Sequence, residues 1–334
     1  MIKVGVLGAG RLGKMHVKLL QQLETVDLVG FYDPDNDTLK EVADKYNIQP
    51  HLSADTLLDS VDAVIIATPT TNHYESVAKA LKKSKHVFIE KPLTHTLKEA
   101  KKLMALAHEA NVKVQVGHVE RFNPAFLSAT EYIENPMFIE AHRLSEIDPR
   151  GINVSVVLDL MIHDIDIILS IVKANIKRIS ATGVAVIGIT PDISNARIEF
   201  DNGCIANLTA SRIAIKNICK TSIYQKDLYA SVDFFDEKTE VVRINPVGNI
   251  ALPSAVTIDL GENQGMKQIS FESKPANPYN AMKMQLEAFA NSILNNTTPI
   301  VTIEDGFKAL DVAYMVLDKL KHTSNLPEFS DIVQ

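Results

Sequence analysis

Gly8-x-Gly10-x-x-Gly13 is the first spacing in this chain that could do chemistry. It follows an apolar run, Ile2 to Leu7, and opens a helical pattern through Leu12, Met15, Leu19 and Leu20. In that context Gly8 permits a tight turn, Gly10 lets backbone amides approach a pyrophosphate, and Gly13 lets the helix pack closely on the strand. The helix start, with Arg11 and Leu12 in its first turn, favours phosphate charge. A second apolar run, Val26 to Tyr32, ends in Asp33, about twenty residues after the last glycine, where a carboxylate accepts hydrogen bonds from the ribose hydroxyls of NAD and repels the 2′-phosphate of NADP. Asp35 and Asp37 add negative charge, and no Lys or Arg lies between positions 33 and 39. NAD is therefore the expected cofactor.

Two further constellations could act on a substrate. Glu90-Lys91-Pro92 falls at the carboxyl end of a strand, the edge where open α/β sheets bind ligands. A lysine held there can hydrogen-bond a reacting hydroxyl and stabilise charge on its oxygen, although a surface lysine in a turn fits the position equally well. Asp159 and His163 stand i, i+4 on a helix expected over 154–172, so they share a face. An aspartate that holds one imidazole nitrogen leaves the other as a proton acceptor near neutral pH. A buried histidine satisfied by a carboxylate one turn earlier is the structural alternative. Metal binding by His163, Asp164 and Asp166 is discounted, because the two aspartates point to other helix faces and no other His or Cys pairs with them. No metal is expected.

The elements that must position these groups alternate. Strands are expected at 2–7, 26–32, 62–67, 86–89 and 112–116, with helices at 37–46, 73–83 and 95–110 between them. Runs apolar on both faces indicate a parallel sheet covered on both sides. After Asn123-Pro124 the rhythm changes: a helix, a strand near 137–144, the 154–172 helix, then runs at 176–187, 193–200, 203–210, 217–225, 228–235 and 238–244. Asn202-Gly203 reads as a hairpin turn. This half reads as an open, largely antiparallel sheet with the 154–172 helix on one face, and helices at 279–295 and 304–321 close the chain. The fold class is α/β, with a dinucleotide-binding domain over 1–120 and a substrate-binding and oligomerisation domain over 121–334.

Length and charge limit the rest. A chain of 334 residues suits two domains. The net charge of −7, with no basic cluster, argues against nucleic acid or an anionic membrane as the main partner, and no apolar run approaches a bilayer span. Cys204 and Cys219 form neither a disulfide framework nor a metal spacing, which fits a reducing compartment. With no secretory signal at the amino terminus, a cytoplasmic location is expected.

The chain resembles the Gfo/Idh/MocA family of NAD(P)-dependent sugar and inositol dehydrogenases nearly end to end. The glycine loop, Ala67-Thr68-Pro69 with Asn72-His73, Glu90-Lys91-Pro92, Asp159-x-x-x-His163 and Thr302-x-Glu304-Asp305-Gly306 carry the likeness. Glu90-Lys91-Pro92 is its most specific mark. Val154-Ser155-Val156-Val157 departs from the glycines that often precede the aspartate. The resemblance implies a Rossmann domain, and Lys91 and His163 as a catalytic pair oriented by Asp159. It also implies a cofactor cleft lined by Thr68, Pro69, Asn72, His73, Glu90 and Glu120, and assembly as a dimer or tetramer. The stretches 117–124 and 207–212 are similar to a branch that oxidises UDP-N-acetylglucosamine-type sugars at C3. On that likeness Arg121, Asn123, Arg150 and Arg212 are expected substrate contacts, since an arginine fork suits a diphosphate. Rival expectations are an inositol or simple aldose dehydrogenase, another carbonyl reductase on the same scaffold, or a non-catalytic NAD-sensing regulator.

Overall fold

The computed structural model describes residues 1–148, 154–247, 255–261, 265–275 and 279–321. The chain divides into two compact units. The first joins Met1–Phe122 to Asn280–Asp311; the second runs from Asn123 to Tyr279 and takes in the described residues from Val312 onward.

In the first unit, β1 (Ile2–Leu7), β2 (Val26–Tyr32), β3 (Ala63–Ile66), β4 (His86–Glu90) and β5 (Val114–Gly117) form a sheet of order β2-β1-β3-β4-β5. Every pairing is parallel. β3 and β5 are buried at every position, which is why β3 reads as an unbroken apolar run; β5 buries the polar Gln115 as well. The crossovers carry α1 (Arg11–Leu20), α2 (Asn36–Tyr46), α3 (Ala54–Ser60), α4 (His73–Lys82) and α5 (Leu97–Ala110). Their starts are set by local chemistry: Asp35 caps α2, and Ser53/Thr56 and Thr96/Glu99 form capping boxes on α3 and α5. The sequence expectation did not include α3.

Two later helices, α8 (Ala281–Leu294) and α9 (Ile303–Leu320), were expected within the second domain. The structure instead packs Asn280–Asp311 with the first unit. Leu286, Phe289 and Ala290 of α8 join the core around Val4, Val6, Phe31 and Phe88, and Gln115 Nε2 donates to the Gln285 carbonyl at 2.8 Å. Thr302 and Asp305 cap the start of α9 reciprocally. At Gly306 the helix passes so close to β5 that a Cβ would sit 2.6 Å from Val116. The Thr302-to-Gly306 motif is thus a docking device for this return of the chain.

The second unit opens with α6 (Pro124–Thr130) and β6 (Phe138–Leu144), followed by a π-helical turn at Val157–Met161 and α7 (Ile162–Ile171). Eight strands follow: β7 (Ile176–Val184), β8 (Ile193–Phe200), β9 (Ile205–Ser211), β10 (Ile218–Gln225), β11 (Leu228–Asp233), β12 (Lys238–Pro246), β13 (Val256–Asp259) and β14 (Met266–Pro275). With β6 they make a nine-stranded sheet of order β13-β14-β12-β11-β10-β6-β9-β8-β7, antiparallel apart from the β6–β9 pair. The hairpin at Asn202-Gly203 is present, with Gly203 at φ +88°. Residues of α6 and α7 pack with Val232 and Phe234 on one face.

Three expectations shift here. The single helix over 154–172 is a π turn followed by α7. The strand expected to reach 187 ends at Val184, because Asp192 Oδ2 takes the amides of Val186, Ile187 and Gly188 into a turn. The pair β13 and β14 was not expected: β13 (Val-Thr-Ile-Asp) does alternate, but over only four residues, and it buries little of itself.

Candidate active site

The glycine loop has the geometry of a phosphate cradle. Gly8 has φ +87°, and a Cβ there would lie 2.7 Å from the Ala67 carbonyl; a Cβ at Gly13 would lie 1.9 Å from the Gly8 carbonyl. Both positions are closed to any side chain. Beyond its chain neighbours, a Cβ at Gly10 would meet no atom of the described residues within 4 Å, so the space above the loop is open. Gly10 is also the N-cap of α1, and among the described residues no side chain caps that helix. Its first amides, from exposed Arg11 onward, face the place where a pyrophosphate would lie.

Asp33 finishes the cradle. Its Oδ2 accepts the Ala9 amide at 2.7 Å and its Oδ1 the Asp35 amide at 3.0 Å. Each oxygen keeps lone-pair capacity for a ribose hydroxyl, while the carboxylate opposes a 2′-phosphate. The open space at Gly10 and the acid at the end of β2 fit a dinucleotide of the NAD type.

Lys91 follows β4 at the carboxyl edge of the same sheet and is half-buried; Glu90 before it is buried. Glu90 Oε1 lies 2.7 Å from His16 Nε2. Thr68, Pro69 and the 3₁₀ turn Thr70–Asn72 follow β3 on that edge, with Pro69 and Asn72 exposed and Thr68 half-buried. His73 was expected to line the cleft, yet it is 1% exposed. Its Nδ1 lies 2.9 Å from the Pro92 carbonyl and its Nε2 3.0 Å from that of Thr68. Burial is the strongest influence on this ring and lowers its pKa, against the pull of the two carbonyls and the Glu90 charge. Glu120 and Arg121 lie half-buried on the 3₁₀ turn Val119–Phe122. A concavity of about 360 Å³ lined by Met104, His108, Lys113 and Ile303 borders the start of β5, the edge opposite Lys91.

In the second unit Asp159 sits in the π turn and His163 in the first turn of α7, both half-buried. A π turn interrupting an α-helix is frequent at functional sites, and the four-residue step keeps the carboxylate and imidazole close to one face. Asp164 is not available to a metal in this arrangement: Arg143 Nε and Nη2 hold its two oxygens at 3.0 and 2.8 Å.

Two expected substrate contacts have other work. Asn123 is 5% exposed; its Oδ1 accepts the Ala125 amide at 3.0 Å to cap α6, and its Nδ2 donates to the Phe234 carbonyl. Arg212 is 7% exposed and donates from Nη2 to the carbonyls of Val154 and Pro191. Its Nε stands 3.6 Å from Asp192 Oδ1. Both residues are held by the chain itself, which corrects the expectation that they face substrate. Arg150 lies outside the described residues. The sequence reading had overlooked His16 and Asp192. A histidine on the apolar face of α1 signals a buried partner, but nothing local points to one 74 positions away.

Comparison with known proteins agrees with this geometry. The pattern described as "Oxidoreductase family, NAD-binding Rossmann fold" matches residues 2–118, and the GFO/IDH/MocA C-terminal domain matches residues 139–225. UDP-N-acetylglucosamine 3-dehydrogenase of Acidithiobacillus ferrooxidans is 34% identical over 72% of this chain and 76% of its own. The chain belongs to the Gfo/Idh/MocA oxidoreductase family. It is an NAD-binding oxidoreductase. A solved structure of the A. ferrooxidans enzyme superposes with a TM-score of 0.86 at 29% identity, covering 96% of this chain and 98% of that one. The NAD-dependent scyllo-inositol 2-dehydrogenase of Bacillus subtilis is 29% identical over 96% of this chain and 94% of its own. Among the described residues no helix is long and apolar enough to cross a membrane.

Proposed function

We propose that this oxidoreductase removes hydride from a ring secondary alcohol of a sugar, a UDP-N-acetylhexosamine oxidised at C3. One observation carries the reading: an NAD cradle with Lys91 at the carboxyl edge of its sheet, and Asp159 with His163 on one helical face, in a chain 34% identical to a UDP-N-acetylglucosamine 3-dehydrogenase. Bound nicotinamide supplies the two-electron acceptor at C4. Lys91 hydrogen-bonds the hydroxyl oxygen and stabilises the charge that grows there as the C–H bond breaks. His163 takes the hydroxyl proton, and Asp159 orients the imidazole. The products are the 3-ketone, NADH and one proton. This reading assigns Arg121 to the diphosphate. On this reading the enzyme works in the cytoplasm as a homo-oligomer.

The inositol-dehydrogenase relative with 96% coverage motivates a second reading, a polyol substrate on the same catalytic groups. The experiment that separates them assays UDP-N-acetylglucosamine beside N-acetylglucosamine, glucose and myo-inositol with NAD, recycling NADH with a keto-acid and its dehydrogenase. The nucleotide sugar should turn over fastest. Faster oxidation of a free sugar or inositol, with Arg121 dispensable, overturns the proposal. NAD binding without turnover on any of the panel would favour an NAD-sensing role.

A further inference from the structure

Two buried histidines, on different helices, grip the residues on either side of Lys91. His16 belongs to α1, has no exposed surface and meets Glu90 Oε1 at 2.7 Å through Nε2. His73 is the first residue of α4 and meets the Pro92 carbonyl at 2.9 Å and the Thr68 carbonyl at 3.0 Å. Glu90 is confined on a second side as well: a Cβ at Gly117 would stand 3.0 Å from its Oε2, so glycine there leaves the carboxylate its room.

This arrangement is an expensive way to fill a core. Burying an imidazole against a carboxylate costs desolvation, and apolar side chains of similar volume often pack as well or better. His16 Nδ1 is also buried with no hydrogen-bond partner among the described residues, while the ring edge meets Phe88 at 5.5 Å between centroids. His73 faces two carbonyls, although a neutral imidazole has only one N–H to offer. Polar groups kept under such terms fix a direction that apolar packing would leave loose. The helices involved add to the point, because α1 begins at the pyrophosphate cradle and α4 begins at the Thr68–Asn72 turn.

We propose that His16 and His73 are positioning residues that hold the Glu90–Lys91–Pro92 turn from two sides and so fix the direction of the Lys91 ammonium. On this view His73 serves the site through Thr68 and Pro92 rather than by touching the cofactor. The proposal rests on Lys91 being the group that meets the reacting oxygen.

The test uses the full chain and two readouts. Trace acetylation with acetic anhydride, read by mass spectrometry at the Lys91 peptide against other lysines in the same sample, reports on Lys91 without any substrate. In His16→Leu and His73→Leu its relative rate should change by about threefold or more, as a modest shift in the amine's surroundings would produce. Turnover should fall about tenfold or more, because small misplacements of a catalytic group are costly, while the NADH Kd stays within about twofold. His16→Gln, whose side-chain amide can reach the place of Nε2, should recover most of both. Where a leucine variant does not fold, Gly117→Ala, which crowds Glu90, should alter the Lys91 rate in its place. Unchanged Lys91 reactivity in the folded variants overturns the proposal, as does a turnover loss that follows melting temperature and is not recovered by glutamine. If Lys91 reactivity changes but Lys91→Ala retains turnover, the catalytic reading of Lys91 fails and the positioning stands. If Lys91→Ala inactivates and the histidine variants leave Lys91 reactivity untouched, the positioning fails alone.

Discussion

The Arg212 guanidinium stands 3.6 Å from the Asp192 carboxylate, which has no exposed surface and also holds three backbone amides. Burial alone would push this carboxyl up; the amides of Ile187, Gly188 and Val186 and the Arg212 charge outweigh it and hold the pKa below the ordinary 3.8. The pair fastens the turn at 186–192 to the segment that leads into the π turn of Asp159. Removing one partner of a buried pair leaves an uncompensated charge, so Arg212→Ala should lower stability by about 3 kcal/mol in chemical denaturation. A variant of unchanged stability with a raised KM for the nucleotide sugar would return Arg212 to the substrate site.

The pH dependence of that contribution has a definite sign. Asp192 titrates lower in the folded than in the unfolded chain, so its stabilisation is present above 3.8 and is lost as pH falls through the folded value. The stability gap between wild type and Asp192→Asn should therefore narrow in acid. A gap that widens below pH 3.8 would contradict the assignment.

The glycine loop allows a contrast between two neighbouring substitutions. Beyond its chain neighbours, a Cβ at Gly10 meets no described residue within 4 Å, and the residue has φ −65°, so Gly10→Ala should fold normally and lose NADH affinity measured by fluorescence. A Cβ at Gly13 would lie 1.9 Å from a backbone carbonyl, so Gly13→Ala should lower the melting temperature as well. Full NADH affinity in Gly10→Ala would remove the loop from the cofactor site.

Asp33 is the residue proposed to set the cofactor preference. NADH should bind at least about tenfold tighter than NADPH, a gap of about 1.4 kcal/mol, and Asp33→Ser should narrow it. Equal affinities in the wild type would count against the reading of this acid.

The proposed catalytic groups give the fifth prediction. Lys91→Ala and His163→Ala should each reduce turnover by about 10²–10⁴-fold with NADH affinity retained. Near-normal turnover in either variant would withdraw its role.

What the sequence made legible follows the range of the interactions involved. Gly8, Gly10, Gly13 and Asp33 act within one strand–turn–helix segment and the next strand, so their spacing carried their geometry. The apolar run of β3 announced a parallel sheet because both its faces are buried. Arg212 and Asn123 were read as substrate contacts because residue type says nothing about a partner such as Asp192, Val154 or Phe234. For Asn123 a local signal existed: an asparagine followed by proline is an N-cap and first-turn pair, and the structure uses it as one. The π turn at Val157–Met161 left no mark, since one extra residue in a helical turn hardly disturbs an apolar pattern.

The return of Asn280–Asp311 to the first unit bears on how the protein is made. The dinucleotide half is discontinuous in the gene: its sheet leaves the ribosome early, but Leu286, Phe289 and Ala290, which cover part of the core beside β1 and Phe88, are translated long after. During synthesis the nascent sheet must wait with that apolar surface uncovered while the whole second sheet is added. Such exposed intermediates are where aggregation and chaperone binding compete with folding. Cutting the chain after Phe122 would make that waiting state permanent, so the nucleotide half should not be obtainable as a well-behaved fragment.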